Sequence, residues 1–372
     1  MQKYDVIVLG AGINGCGIAE NLARSGKQVL LVDKGGVGQG TSSKSSRLIH
    51  GGLRYLETAK LHLVHESLHD RQRLVQKYPD LVEYKRFFLP IYKSSPRPGW
   101  MIRFGLWMYD LLSGSRSAGK SRTEDVDLFK ISFPAFSEAD LKSVLSYVDA
   151  KTHDRELTRR VADDFQKLGG TVIVHCEIES ISWKDTSFEI RSSAGEFSAA
   201  VLVNATGPWL EEVNQRFDLP ARYGIRKVSG IHLIFDGLVV PELMFMQTRE
   251  KRIFFIIPEP ENNQTLIGTT EREEACDMDD LHAQEADIQY LLDQVNVYLN
   301  PDYQFKRKDV RDIYIGVRPL VRKKGDLSDM SREYKLDLHS RGETQLLHVF
   351  GGKLTTYLSL AEKVSKVLGV RS

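Results

Sequence analysis

The residues best suited to chemistry begin with a glycine pattern near the start of the chain. Gly10, Gly12 and Gly15 follow an apolar run and are followed in turn by Ala19 and Asp33, in YDVIVLGAGINGCGIAENLARSGKQVLLVDK. That is the spacing of a dinucleotide site. Gly10 permits a tight turn, Gly12 lets backbone approach a pyrophosphate, and Gly15 with Ala19 lets a helix lie close on a sheet. Asp33 ends the second apolar run, where its carboxylate can accept hydrogen bonds from ribose hydroxyls. The helix opening at this turn aims its dipole and free N–H groups at the phosphates, and Asn14 and Lys34 flank the same positions.

A second segment, GTSSKSSRLIHGGLRYLE from Gly40 to Glu57, is dense in short hydroxyl donors. Thr41, Ser42, Ser43, Ser45 and Ser46, with the cations Lys44 and Arg47, suit a pyrophosphate or phosphate. Gly51 and Gly52 can bring backbone close to a flat ring. A third pattern, His65, Glu66 and His69 with His62 nearby, spells the HExxH of zinc proteases. No third ligand stands at a recognised spacing and the helix is strongly polar, so we read it as a solvated helix face and expect no metal.

These residues need elements to hold them, and the chain has room for two domains. It has 372 residues, 41% hydrophobic and 27% charged. A net charge of +1 argues against nucleic acid as a partner, because phosphate neutralisation needs a basic surplus. Cys16, Cys176 and Cys276 are odd in number and far apart, which suggests reduced thiols in a cytoplasmic compartment. We expect no signal peptide, since the chain opens on a core strand. GWMIRFGLWMYDLL carries Arg103 and Asp110 and falls short of the roughly 18 unbroken apolar residues of a membrane span. Its stripe of Trp100, Phe104, Trp107, Met108 and Leu111 could instead pack on a sheet or lie in a membrane interface, with Arg97 and Arg103 beside it for anionic headgroups.

Periodicity predicts helices over 60–77 and 152–168, a strand TVIVH, a hairpin of IESISW with FEIRSS, and a buried strand AAVLVNATG. From Arg222 to Leu320, GIHLIFD, RIFFIIP and TLIGTT read as an antiparallel sheet, followed by a helix from about Asp280 to Leu299. The end, LLHVFGGKLTTYLSLAEKVSKVL, returns to strand, glycine turn and helix. The fold expected is α/β: a discontinuous Rossmann-like domain (1–85, 145–218, 340–372) with an antiparallel-sheet substrate domain (86–144, 219–339).

Taken with VLVNATGPW, YGIR, GVRPL, SREYKLDLH and FGGKLTTY, in that order along the chain, these segments make the sequence resemble the FAD-dependent glycerol-3-phosphate dehydrogenase family, within the D-amino-acid-oxidase-like flavoprotein fold. The resemblance implies FAD held by Gly10, Gly12, Asn14, Gly15, Asp33 and Lys34. It adds Thr41, Ser42, Ser43, Ser45 and Ser46, then His50, Gly51 and Gly52. Further along come Ala205, Thr206, Gly207 and Trp209, and finally Gly351, Gly352, Lys353, Leu354 and Thr355. It implies Arg318 and Arg332 on a substrate phosphate, with His50, Arg54 and Tyr55 lining the pocket, Lys353 near the flavin N1 edge and His232 as general base.

The implied reaction is oxidation of sn-glycerol 3-phosphate to dihydroxyacetone phosphate, with electrons passing to a quinone or another acceptor and at most weak peripheral membrane contact. Three departures stand out. Arg47 replaces the family's usual lysine, Arg322, Lys323 and Lys324 form an extra basic run, and the sequence stops soon after FGGKLTTY, where the bacterial enzymes continue into a helical domain. Two alternatives remain: oxidation of another small hydroxy or amino acid, and a flavin-binding protein of regulatory or assembly role.

Overall fold

A computed structural model describes residues 1–58, 60–114, 118–274, 277–323, 330–331 and 333–370. Strand β1 (Gln2–Leu9) runs through the first of two sheets. Val6 to Leu9 are at most 3% exposed, the continuous burial that a strand covered on both faces requires. β1 pairs in parallel with β2 (Val29–Val32) and with Gly195–Asn204. Thr344–Phe350 and Thr171–Ile173 extend the parallel set on either side. Lys335–Arg341 closes one edge, antiparallel to Thr344–Phe350.

Helix α1 (Ile13–Arg24) connects β1 to β2 and buries Cys16, Ile18, Ala19 and Leu22. It lies so close that a Cβ at Gly15 would run into the Gly10 carbonyl oxygen. The helices Asp154–Lys167 and Tyr357–Val367 flank it. Together they cover one face of the sheet with a core that includes Val8, Leu31, Leu157, Phe165, Val203 and Leu360.

The second sheet has eleven strands and is almost wholly antiparallel. Its third strand from one edge is Tyr223–Asp236, flanked by Val310–Lys323 and Gln264–Gly268. Ile253–Glu259, Leu243–Gln247, Val82–Tyr92, Leu141–Thr152 and Leu48–Ile49 follow in order.

This order corrects the expected domain seams. Boundaries at 86 and 145 would cut through single strands, because Val82–Tyr92 pairs with Leu141–Thr152 from Val82↔Thr152 to Tyr92↔Leu141. Both strands therefore belong wholly to the second sheet. Lys335–Arg341, across the expected seam at 340, lies in the first sheet. The strand 141–152 escaped notice because it buries Ser146, Asp149, Lys151 and Thr152, polar residues that hide its apolar pattern. The helix expected over 280–299 is shorter, Glu285–Asn296.

Helix α2 (Leu61–Lys77) leads into Val82–Tyr92, and helix α3 (Gly99–Ser113) carries the aromatic stripe. α3 buries Ile102, Leu106, Tyr109 and Ser113. Its other face exposes Trp100, Phe104, Trp107 and Leu111, each between 56% and 71%, and the Phe104 and Trp107 rings stack 5.7 Å apart. The stripe thus faces outward rather than packing on a sheet. Arg97 does not serve it as a free cation: its guanidinium holds Glu57 and Gln247. Among the described residues, no helix is long and apolar enough to cross a membrane.

Candidate active site

A continuous cavity of about 1580 Å³ runs along the junction of the two sheets. That exceeds the roughly 300–1,000 Å³ of a cleft for one drug-sized ligand. One end lies outside the carboxyl ends of the parallel strands, the usual ligand crevice of such sheets. Gly10 follows β1, Asp33 follows β2, Ala205 to Gly207 follow Gly195–Asn204, and Gly351 to Thr355 follow Thr344–Phe350; all line the cavity.

The turns are built for close approach. Gly10 has φ of +99°, and a Cβ there would stand 2.7 Å from the Ala205 carbonyl oxygen. Gly351 and Gly352 have φ of +78° and +98°, conformations that favour glycine. The Asp33 carboxylate accepts hydrogen bonds from the backbone N–H of Ala11 at 2.6 Å and of Gly35 at 2.7 Å, which locks the two strand ends together. Asn14 donates through Nδ2 to the Gly351 carbonyl at 3.2 Å.

Among the described residues on the cavity wall, three carry a buried polar atom without a hydrogen-bond partner: Asn14 Oδ1, Trp209 Nε1 and His232 Nδ1. Buried polar atoms are ordinarily paired, so these point to a ligand that supplies the complement. Glycine turns at the strand ends, unpaired polar atoms and an acid after β2 are together a fit for FAD.

The hydroxyl segment lines the cavity for the most part and also makes bonds within the protein. Ser42 Oγ accepts the Ile13 N–H at 2.9 Å, capping α1. Thr41 Oγ1 donates to the Val317 carbonyl at 2.7 Å, and Ser45 Oγ to Asp154 at 2.7 Å. Ser46 Oγ lies 2.8 Å from His232 Nε2. Thr41, Ser42, Ser45, Ser46, Lys34 and His50 line the cavity; Ser43, Gly15, Gly51 and Gly52 do not. Ser43 turns back to the carbonyls of Gln39 and Gly40. Gly51 is packed inside, its N–H held by the Tyr109 hydroxyl at 2.8 Å. Arg47, with φ of +56°, is engaged by buried Glu259 at 2.7 Å and is absent from the cavity wall.

The other end of the cavity is walled by the second sheet. Strand register places Val228 opposite Arg318, Gly230 opposite Gly316 and His232 opposite Tyr314. Arg318 and His232 therefore share one face with only glycine between them. Arg318 reaches Thr269 Oγ1 at 3.2 Å and the Thr270 carbonyl at 3.4 Å. His232 is 2% exposed and stacks on Tyr314 at 4.7 Å. Burial first, then the charges of Arg318 and Arg47, push its imidazole down to about 3. It is therefore neutral at physiological pH and, with the site empty, a weak base.

Lys353 Nζ sits 4.2 Å from the centre of the Tyr55 ring, and both line the cavity. Arg332 and Lys324 of the sequence reading, with Cys276, lie outside the described residues, as does the side chain of Arg54. Arg322 pairs loosely with Glu211 at 3.8 Å.

The sequence reading missed Arg226, Arg252, Phe255, Glu271 and Glu273, all on the cavity wall. Arg226 pairs with Glu273 across neighbouring strands. Alternation on the strand Tyr223–Asp236 was the available signal. The HExxH residues do not converge: Glu66 pairs with Lys363 at 2.6 Å and His69 leans on Asp70 at 3.7 Å. Among the described residues, His153, Glu259 and Glu261 do bring ligand atoms within 4.8 Å of one another. Arg47 and Lys151 already balance Glu259, at 2.7 and 3.2 Å.

Residues 5–357 match the family model described as FAD dependent oxidoreductase. The chain is 37% identical to the aerobic glycerol-3-phosphate dehydrogenase of Escherichia coli strain K12, over 97% of this chain and 72% of that protein. It is 35% identical to the D-erythritol 1-phosphate dehydrogenase of Brucella abortus strain 2308, over 97% and 73%. In fold it is similar to the crystal structure of glycerol-3-phosphate dehydrogenase from Bacillus halodurans complexed with FAD, with a TM-score of 0.77 at 22% identity, covering all of this chain and 66% of that one.

Proposed function

The chain belongs to the FAD-dependent oxidoreductase family, and from that premise we propose that it oxidises sn-glycerol 3-phosphate to dihydroxyacetone phosphate. The observation that carries this reading is the register of the second sheet, which sets a cation and a neutral base on one cavity face across a glycine. Arg318 presents a planar fork that matches a phosphate dianion bidentately. With the phosphate held there, the secondary hydroxyl falls beside Ser46, whose Oγ lies 2.8 Å from His232 Nε2, and the imidazole takes up its proton through that hydroxyl.

FAD, when bound, supplies the two-electron acceptor that takes the hydride from the carbinol carbon. It would be held by Gly10, Gly12, Asp33, Ala205 to Gly207 and Gly351 to Thr355. Lys353 brings a cation to the same cavity, where it offsets negative charge developing during oxidation. Arg332 and Arg54 complete the phosphate and pocket contacts in this reading, together with His50 and Tyr55, which line the cavity.

Anaerobic addition of glycerol 3-phosphate to the FAD-loaded protein bleaches the oxidised flavin, whereas glycerol bleaches it far more slowly because phosphate binding supplies orientation as well as affinity. Equal rates would overturn the phosphate anchor. Faster bleaching by erythritol 1-phosphate than by glycerol 3-phosphate would assign the longer polyol instead.

In this proposal the electrons would leave FAD, when bound, for a quinone at a cytoplasmic membrane surface. The exposed face of α3 offers Trp100, Phe104, Trp107 and Leu111 to the lipid, with Arg103 on the same helix. One patch of this size gives reversible, salt-sensitive binding. Flotation with anionic vesicles recovers part of the parent protein and none of Trp107→Glu. Unchanged recovery of that variant would remove the face from the membrane contact.

A further inference from the structure

Directly behind the cavity, three elements converge on one turn. Arg71 of α2 and Asp149 of the strand 141–152 are 0% and 1% exposed and form an ion pair at 2.5 Å. The Arg71 guanidinium also donates to the Val148 carbonyl and to Ser113 Oγ of α3, at 3.0 and 3.1 Å. The Tyr109 hydroxyl, also from α3, donates to the Asp149 carboxylate at 2.8 Å. It accepts the Gly51 N–H at 2.8 Å, and that N–H lies 3.2 Å from Asp149 as well. The preceding residue, His50, lines the cavity.

A buried ion pair is poor value for stability alone: apolar residues of the same volume commonly do as well or better, because both charges must be desolvated. What such a pair does fix is position. Tyr109 has a single hydroxyl proton, which it donates as a hydrogen bond to Asp149; burial and the nearby carboxylate raise the phenol's pKa well above its usual value, so it stays protonated. The hydroxyl oxygen is then left to accept the Gly51 N–H. No side chain can replace Gly51, since a Cβ would strike the Tyr109 hydroxyl and Leu68. The chain leaves the short strand Leu48–Ile49, paired to Lys151 and Ala150, and is clamped again two residues later. His50 is the residue between these two clamps.

We propose that Tyr109, Asp149 and Arg71 are positioning residues that set His50 against the substrate through the Gly51 backbone. They touch no reacting atom themselves. This rests on the reading of the cavity as a polyol phosphate site.

The test is a double-mutant cycle on the FAD-loaded protein, with glycerol 3-phosphate as substrate. Tyr109→Phe keeps the ring and deletes the hydroxyl; Asp149→Asn keeps the shape and one acceptor. Each lowers kcat/KM roughly tenfold, the scale of one well-placed hydrogen bond; flavin content stays close to the parent's in both, and so does the melting temperature of Tyr109→Phe, whereas Asp149→Asn melts lower because the buried Arg71 charge loses its partner. The decisive comparison is with His50→Gln: adding Tyr109→Phe or Asp149→Asn to it costs nothing further, because the residue they position is already gone.

Losses that multiply, or single variants that match the parent, overturn the proposal. Failure of both variants to accumulate with flavin assigns the network to folding and overturns it too. An inactive parent protein would instead count against the functional reading, which the bleaching experiment measures separately.

Discussion

Replacing His232 by glutamine lowers kcat on glycerol 3-phosphate by roughly 10²- to 10⁴-fold, the range for loss of a positioned proton acceptor, while flavin stays bound. Glutamine keeps a polar side chain within reach of Ser46 but takes up no proton. In the parent the imidazole is pushed down to about 3 by burial and by Arg318 and Arg47, so the free protein keeps its base neutral through the physiological range. A bound phosphate dianion offsets Arg318 and raises the imidazole's proton affinity in the complex. The acid limb of kcat, which reports the complex, therefore lies above pH 3 and disappears in the variant. A kcat within a few-fold of the parent, or an unchanged acid limb, would remove His232 from the reaction.

The same histidine leaves a mark on stability, and its sign can be worked out. Its folded pKa of about 3 lies below its ordinary 6.5, so between these values the unfolded chain binds a proton that the folded chain refuses. Stability then falls as pH drops below 6.5, by up to about 1.4 kcal/mol per pH unit. His348, buried and pushed down to about 4, adds a second slope of the same sign. Acid titration of the melting temperature is accordingly shallower in His232→Gln than in the parent. Equal slopes would place His232's titration elsewhere.

The nucleotide end of the site was legible in the sequence because its requirements are local. A glycine turn between an apolar strand and a helix, with an acid one strand later, reads directly from Gly10 to Asp33, and the strand-end glycines at 207 and 351–352 read in the same way. The substrate end was legible only in part. That Arg318 and His232 share a face depends on pairing between the strands Tyr223–Asp236 and Val310–Lys323, far apart in the sequence, which no local pattern records. The strand 141–152 was hidden by its buried Asp149 and Lys151, each satisfied by partners far away in sequence. Hydroxyls carry two uses at once: Thr41, Ser42 and Ser45 line the cavity, and they also cap a helix and tie the loop to a strand and to a second helix, uses that leave the same trace in a sequence. The aromatic stripe of α3 was legible as a stripe, but periodicity does not say which side faces solvent.

Arg318→Ala lowers kcat/KM for glycerol 3-phosphate roughly 100-fold, about 2.7 kcal/mol, a low figure for two hydrogen bonds to a dianion. The loss is selective, because glycerol has no phosphate to place: the preference for the phosphorylated substrate narrows by about the same factor. Arg318→Lys keeps the charge but not the fork and falls between the two. The substitution also acts at a distance on the base. Arg318 is the largest charged contributor holding the His232 imidazole down, so its removal raises that pKa and moves the acid limb of kcat to higher pH. Arg318→Lys leaves the limb near the parent's position. A phosphate anchor that merely sat beside the base would change affinity and leave the pH profile still. If Arg318→Ala lowers kcat/KM without moving the limb, the two residues do not share the electrostatics described here; if the preference for phosphate survives the substitution, Arg318 is not the anchor.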